Sequence, residues 1–392
     1  MRTIADLAVA HKRVLLREDL NVPLEPGDPP RVLDATRIDA AVPTIRSLHN
    51  LRAKTIVLSH LGRPKGRPVS ALSLEPVAKA LRAALGLDVA FAHDCVGDEA
   101  RAAVEALSDG GILLLENLRF HPEEERNDYG FARELAALGD CYVNDAFGTA
   151  HRAHASTEAL AHLLPHAAGP LMLEELAALE PLLQTPRTPY VCAIGGAKVK
   201  DKIGVLSALA MRVNAFCVGG GMANTLLAAQ GADVGKSLRD DDLGPARRIL
   251  EIANDRGVRV HLPVDAVVAI DLDAPAKTAR IGAIGDAAIF DIGPETVNEY
   301  ASVVGQAQTI VFNGPMGVYE RPAFRSGTKG VGEAIARATE AGATSVVGGG
   351  DAAAAAHLLG FADAMTHVST GGGATLELLE GKTLPGVAAL QT

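Results

Sequence analysis

The chain has 392 residues, 48% hydrophobic and 21% charged, a length that exceeds one ordinary core and predicts two domains of roughly 150–200 residues each. Its 37 Lys and Arg against 47 Asp and Glu leave a net charge of −10, a field that repels nucleic acid and anionic membranes, so an anionic ligand has to meet a local basic cluster. This composition also excludes a disordered or fibrous chain.

At the N-terminus, MRTIADLAVAHKRVLL carries Asp6, His11 and Lys12 where a signal peptide needs an unbroken apolar run, and no later segment is long and apolar enough to span a bilayer. Cys95, Cys141, Cys192 and Cys217 form no CxxC pair, and three of them lie in apolar, strand-like runs. Such cysteines behave as small buried hydrophobes, which points to a reduced, cytoplasmic protein.

Short apolar runs, each followed by a turn and an alanine-rich helical pattern, recur along the chain and predict βα units with parallel sheets. In the first half they are RVLLRED (13–19), TIVLSH (55–60), the weaker DVAFA (88–92), GILLLEN (111–117) and CYVNDAF (141–147). Polar and basic residues follow these runs: Arg17, Asp19 and Asn21; His60 and Arg63; Arg119; and then His151, Arg152 and His154, with Arg37 in a nearby segment. Guanidinium forks and imidazole donors suit phosphate and carboxylate oxygens. One such arginine would be read as a solvated surface residue; recurrence at successive strand ends, which converge in a parallel sheet, predicts an anion site.

A zinc reading of His151 and His154 competes with this. It lacks an HExxH motif and a cysteine pair, and Arg152 would set a positive charge beside the metal. His162 and His166, four apart, are assigned to a helix surface. The segment AAGPLMLEELAALEPLLQTPRTP has a helical pattern bounded by Gly169-Pro170 and by Pro186 and Pro189. It divides the chain into residues 1–168, a connecting helix at 169–188 and residues 189–383.

The second half repeats the alternation in YVCAIGG (190–196), AFCVGGG (215–221), VRVHLPVD (258–265), TIVFNGP (309–315), SVVGGGD (345–351) and THVSTGGG (366–373). Here the strand ends are glycine-rich. Glycine lets backbone amides approach phosphate oxygens, and a following helix N-terminus adds a favourable dipole. Tight turns alone would explain one or two such loops, so five of them predict a nucleotide. GADVGKS (231–237) has three residues between its glycines where a phosphate-binding loop of the Walker type needs four, and GGGMAN places Asn224 where the dinucleotide fingerprint needs a glycine. In GGAKVKDK (195–202), a helix starting after Gly196 would put Lys198 and Lys202 on one face and Lys200 about 200° from Lys198. Cations at such a position oppose the helix dipole unless an anion is bound. Asp351, at the start of a helix, suits an N-cap or a Mg²⁺ held with nucleotide phosphates, and Glu320 suits ribose hydroxyls.

Read in order, REDLNVP, SHLGRP, ENLRF, YVNDAFGTAHRAHAS, GGAKVKDKI, GGGMA, LPVD, FNGPMGVYE, VVGGGD and HVSTGGGATLELLEGKTLPGV resemble phosphoglycerate kinase over nearly the whole chain. The resemblance implies an α/β fold of two Rossmann-like domains, each a mostly parallel sheet flanked by helices and joined by a hinge helix. It also implies a monomer whose tail, 384–392, returns to the first domain. It implies phosphoglycerate binding by Arg17, Asp19, Leu20, Asn21, Arg37, His60, Leu61, Gly62, Arg63, Arg119, His151, Arg152 and His154. The nucleotide and its Mg²⁺ fall to Lys202, Gly220, Asn313, Glu320, Gly349, Gly350, Asp351 and Ala352, with the metal on Asp351. Arg37, Lys198, Lys202, Gly372 and Gly373 meet the transferring phosphoryl group.

This chain departs from the family pattern at Ala352, where Ser or Thr is usual after GGGD, and at Ile289-Phe290, where Gly-Leu is common. No general base is needed, because a substrate carboxylate is already ionised, so alignment and charge stabilisation carry the chemistry. The alternatives are a nicotinamide oxidoreductase, which the missing GxGxxG opposes, and an inactive nucleotide-binding homologue.

Overall fold

The computed structural model describes residues 1–25, 27 and 30–392. The chain divides into two compact units, residues 1–177 with 383–392, and residues 178–382.

In the first unit the strands are β1 (Arg13–Arg17), β2 (Leu24–Glu25), β3 (Arg31–Val32), β4 (Lys54–Leu58), β5 (Ala90–Ala92), β6 (Ile112–Leu115), β7 (Cys141–Asn144) and β8 (His166–Ala168). Six of them form one sheet in the order β5-β6-β4-β1-β7-β8, every pair parallel, and β2 and β3 make a separate antiparallel pair. The sheet is covered on both faces, so its strands read as continuous apolar runs: Val14, Leu15 and Leu16 are all fully buried. Helix Thr36–Asn50 buries Ile38, Ala41, Ile45 and Leu48, one stripe at helical spacing. Helix Glu75–Leu85 buries Val77, Ala78, Leu81 and Leu85 in the same way and ends on Gly86 in the left-handed region. The C-terminal helix Pro385–Ala389 belongs to this unit, and the amide of Gly386 donates to the Ala150 carbonyl at 2.9 Å.

β8 is absent from the expected strands, and with it the helix-surface reading of His166 fails. His166 is a buried residue on β8, and His162 ends a short 3-10 turn where it bonds Glu158 at 2.8 Å. Helix Pro170–Gln184 occupies the expected connecting segment, and the division between the units falls inside it.

The second unit contains β9 (Tyr190–Ile194), β10 (Ala215–Val218), β11 (Arg259–His261), β12 (Asp265–Ala269), β13 (Lys277–Arg280), β14 (Ala288–Ile292), β15 (Thr309–Asn313), β16 (Thr344–Val347) and β17 (His367–Val368). Its main sheet, β11-β10-β9-β15-β16-β17, is again parallel throughout. A small antiparallel sheet, β13-β12-β14, stands beside it. The single run VRVHLPVD therefore becomes two strands in different sheets. Pro263, with no N–H to give a ladder, separates them.

The aspartate of LPVD is structural. Asp265 Oδ1 accepts from the Thr296 amide and hydroxyl at 2.8 and 2.7 Å, and Oδ2 from the Glu295 amide at 3.1 Å. These are first-turn donors of helix Pro294–Val304, which have no partner within the helix. Asp265→Ala is expected to lower the unfolding free energy by about 1–3 kcal/mol, leaving buried amides unpaired. Urea denaturation measures this, and an unshifted midpoint would contradict the capping role.

Candidate active site

The six parallel strands of the first unit deliver their carboxyl ends to one edge, and a basic cluster lies there. Arg17, at the end of β1, is fully buried: its Nε donates to Ser156 Oγ at 3.0 Å and its Nη1 to the Glu18 carbonyl. Ser156 is in turn held by the buried carboxylate of Glu124, with Oγ donating at 2.6 Å and the amide at 2.9 Å. A guanidinium can only donate, so the 3.2 Å contact of Arg17 Nη2 with His60 Nδ1 fixes His60 with its proton on Nε2.

The cluster is positive before any ligand arrives. Burial, then repulsion from Arg17, Arg119, Arg37 and Arg152, holds the His60 pKa well below its ordinary value. Burial and Arg119, Arg17 and Arg152 push His154 down to about 3. Arg119 is itself lowered to about 10 by burial and by Arg152 and Arg17. Both imidazoles are therefore neutral hydrogen-bonding groups among guanidinium charges. Arg152 Nε donates to His151 Nε2 at 3.0 Å. Arg119 Nη1 donates to the Gly62 carbonyl at 2.8 Å.

At the edge of the cluster Arg37 pairs with Asp19 at 2.6 Å while remaining one-third exposed. Asn21 Oδ1 accepts from the Gly62 amide at 2.8 Å. Leu20 and Leu61 are buried, and their amides are already donated to Ser59 Oγ at 2.9 Å and Asn117 Oδ1 at 3.2 Å. They set the positions of Asn21 and Gly62 and offer no donor of their own. Arg63 is exposed.

In the second unit the lysines are arranged differently from the helical expectation. The helix after β9 begins only at Ile203, with Lys202 as its N-cap. Residues 197–202 are held out of the helix by Asp240, whose Oδ2 accepts from the Val199 and Lys200 amides at 2.8 and 3.3 Å. Lys198 and Lys202 thus share no helix face. Lys198 is exposed, as is Lys200. Lys202 Nζ turns inward and donates to the carbonyls of Gly195 and Asn313, each at 2.8 Å, and to Asn313 Oδ1 at 2.7 Å. Burial lowers its pKa to about 8, with Cys192 and Asp351 opposing the shift. Asn313 Nδ2 donates to the Gly348 carbonyl at 2.7 Å, so Lys202 and Asn313 together tie the ends of β9, β15 and β16.

The glycines at these ends serve two purposes. A Cβ on Gly195 would stand 1.9 Å from the Pro315 carbonyl oxygen, so that glycine permits two strand ends to touch. Gly220 is packed against Gly196 in the same manner, and its amide donates to the Met316 carbonyl at 2.8 Å. Gly349 is different: it caps helix Gly350–Leu358 with φ of 99°, a conformation costly for any other residue, and the space around Gly350 is open. The first-turn amides of Gly350, Asp351 and Ala352 have no intrahelical partner. Asp351 therefore lies within that first turn and is exposed; the N-cap is Gly349, and the N-cap reading of Asp351 fails. Gly372, with φ of 51°, caps the short helix Gly373–Leu379.

A cavity of about 460 Å³ opens beside these loops. Gly196, Gly221, Glu320 and Asp351 line its polar side; Leu238, Leu272, Ile289, Phe290 and Val318 line its apolar side. The segment 231–237 is a turn that follows helix Gly220–Ala229, with no strand before it, unlike a Walker loop.

Sequence reasoning missed Glu124, Ser59, Asn117 and Asp291. Glu124 sits in HPEEER, which reads as a solvated acidic run, although its carboxylate is fully buried. Asp291, on the cavity wall, is buried, accepts from the Gly327 amide at 2.7 Å and is pushed up to about 7 by burial.

A family model described as phosphoglycerate kinase matches residues 4–382. The chain is 53% identical over 392 residues to the phosphoglycerate kinase of Moorella thermoacetica, covering 99% of this chain and 98% of that one. It is also 53% identical to that of Thermomicrobium roseum, covering 100% and 99%. The solved phosphoglycerate kinase structure from Coxiella burnetii superposes with a TM-score of 0.89 at 42% identity, over 99% of this chain and 98% of that one. That from Pyrococcus horikoshii OT3 gives 0.88 at 33%, over 100% and 98%.

Lys202 is expected to change charge within the working range: an ammonium below a pH of about 8 and a neutral amine above it. The pH dependence of its modification by an amine-directed reagent, read by peptide mass spectrometry, checks this. A midpoint at the ordinary lysine value would contradict the burial effect.

Proposed function

The chain belongs to the phosphoglycerate kinase family, and we propose that its two units divide the reaction's anions, the first taking the phosphoglycerate and the second the nucleotide. The enzyme transfers a phosphoryl group reversibly between 1,3-bisphosphoglycerate and ADP, a glycolytic step. The nicotinamide oxidoreductase alternative finds no support.

The observation that carries the assignment is the basic cluster of the first unit, where the buried Arg17 holds His60 at 3.2 Å and where burial, then the surrounding arginines, keep His60 and His154 neutral. Such a cluster stabilises a polyanion and discriminates against a cation. With Nδ1 engaged by Arg17, His60 offers Nε2–H to a phosphate or carboxylate oxygen. In the ATP-consuming direction, a carboxylate oxygen of 3-phosphoglycerate attacks the γ-phosphorus of ATP. The bond to the bridging oxygen breaks and its electron pair leaves with ADP. The attacking group carries no proton, which is consistent with a site whose histidines donate hydrogen bonds and serve no base role.

In the second unit the apolar side of the cavity suits a base, Glu320 ribose hydroxyls, and the first-turn amides of Gly350 to Ala352 phosphate oxygens. The exposed carboxylate of Asp351 in that same turn fits a Mg²⁺ bound with the nucleotide, which would neutralise phosphate charge. Lys198, Gly372 and Gly373 are assigned to the transferring group with Arg37. Lys202 supplies positive charge from behind the glycine loop while it holds Asn313. The net charge of −10 supports small anions as ligands in place of nucleic acid or membrane. A cytoplasmic monomer completes the reading.

Transfer requires the two ligands to meet, and helix Pro170–Gln184 spans the division of the chain. Closure about that helix would exclude the water that hydrolyses an acyl phosphate. Small-angle scattering should show a smaller radius of gyration when both substrates are bound than when neither is; an unchanged radius would count against closure.

In a coupled assay with MgATP and 3-phosphoglycerate, Arg37→Ala and Lys198→Ala should each lower kcat by roughly 100-fold or more, and Lys200→Ala by no more than about 2-fold, as for an exposed residue outside the site. No turnover by the wild type would overturn the activity. An undiminished rate in either of the first two variants would remove that residue from the transition state.

A further inference from the structure

We propose that the first unit carries a second site, for a thiophilic divalent cation such as Zn²⁺, formed by Asp94, Cys95 and His121. Asp94 and Cys95 sit on the turn after β5, and His121 on the turn after β6. β5 and β6 pair in parallel, so these turns leave the sheet side by side. One donor atom from each residue, the Cys95 sulfur included, lies within 4.8 Å of the others. Zinc ligands at about 2.0–2.3 Å from the metal are about 3.3–3.8 Å apart, so closing on an ion requires shifts of an ångström or less.

The donors are already oriented. His121 Nε2 is 2.8 Å from Asp94 Oδ1, and the ring is stacked on Phe131 with centroids 5.1 Å apart. The Cys95 amide donates to the same Asp94 oxygen at 2.7 Å. The histidine–aspartate hydrogen bond alone would account for two of these residues. Chain connectivity puts Cys95 beside Asp94, but neither it nor that bond sets the sulfur within 4.8 Å of the His121 nitrogen, nor accounts for the surroundings. A cavity of about 380 Å³ reaches Asp94 and His121 and is also lined by His93 and Glu116, with no lysine or arginine on its walls among the described residues.

Glu116 is engaged as a structural acceptor, taking hydrogen bonds from Ser73 Oγ at 2.6 Å and the Leu74 amide at 2.8 Å. Its charge adds a negative field without supplying a ligand. The contrast with His151 and His154 is direct, since those histidines lie among arginines that repel a cation. A Cys–His–carboxylate set favours zinc-class ions over magnesium, which prefers oxygen ligands. On binding, the Cys95 thiol gives its proton to solvent and becomes a thiolate ligand; water takes the fourth position. His121 is two residues after Arg119, so an ion here would fix the turn that presents Arg119 to the anion cluster.

Cobalt titration of the full-length protein, with excess Mg²⁺ present to occupy oxygen-ligand sites, tests this. One equivalent of Co²⁺ should produce a thiolate-to-cobalt charge-transfer band in the near ultraviolet, and one equivalent of Zn²⁺ should remove it. Cys95→Ser should abolish the band, and His121→Gln should weaken binding at least about 10-fold, whereas Lys198→Ala should change neither. No band in the wild type, or unchanged affinity in His121→Gln, would overturn the site, even if the buried cysteine variant failed to fold.

Discussion

All six strands of each main sheet run in one direction, and the gathering of the basic cluster and of the glycine loops at the strand ends follows from that. A parallel sheet sends each chain out at the same edge, so residues more than a hundred positions apart meet there without any local sequence motif. In the first unit this brings Arg17 to Ser156 and His60. In the second it brings Lys202 to Asn313 and, through Asn313, to Gly348.

Gathering like charges is costly, and the two units meet the cost differently. The first buries a carboxylate behind its arginines: Glu124 holds Ser156, Ser156 holds Arg17, and the guanidinium is fixed without a direct ion pair that would cancel its charge. Its histidines answer by staying neutral. The second unit buries its lysine among carbonyl oxygens, whose dipoles stabilise an ammonium. Burial still wins, and the amine is poised near a pH of about 8, where an approaching phosphate would hold it charged.

What was legible in the sequence was set by burial and recurrence. Runs such as RVLLRED and TIVFNGP are apolar throughout because both faces of their strands are covered, and their polar ends mark one edge of each sheet. β8 was invisible, being three residues of HAA with no β-branched side chain. The antiparallel β12-β13-β14 sheet was hidden because β13, KTAR, is largely exposed and short. The lysine geometry was misread for a different reason. AKVKDK has ordinary helical propensity, and it is Asp240, some forty residues away, that captures its amides. Glu124 was equally beyond reach, since nothing in HPEEER says which carboxylate turns inward.

The two departures from the family pattern have unequal weight. Ala352 is buried and belongs to the same hydrophobic core as Phe312, Val347 and Phe361, so its Cβ faces away from the open loop. A hydroxyl there would need a partner within the core or along its own helix, and the first-turn amides that remain are the same with or without it. Ile289 and Phe290, by contrast, stand on the cavity wall, and the Phe290 ring leans on Phe324 with centroids 4.9 Å apart. A Gly-Leu pair would leave that side thinner and less apolar. The larger side chains extend the apolar face that Leu238 and Leu272 begin, so the consequence of this chain's own sequence falls on the apolar wall of the cavity, and the glycine-loop end keeps the backbone geometry that Gly349 provides.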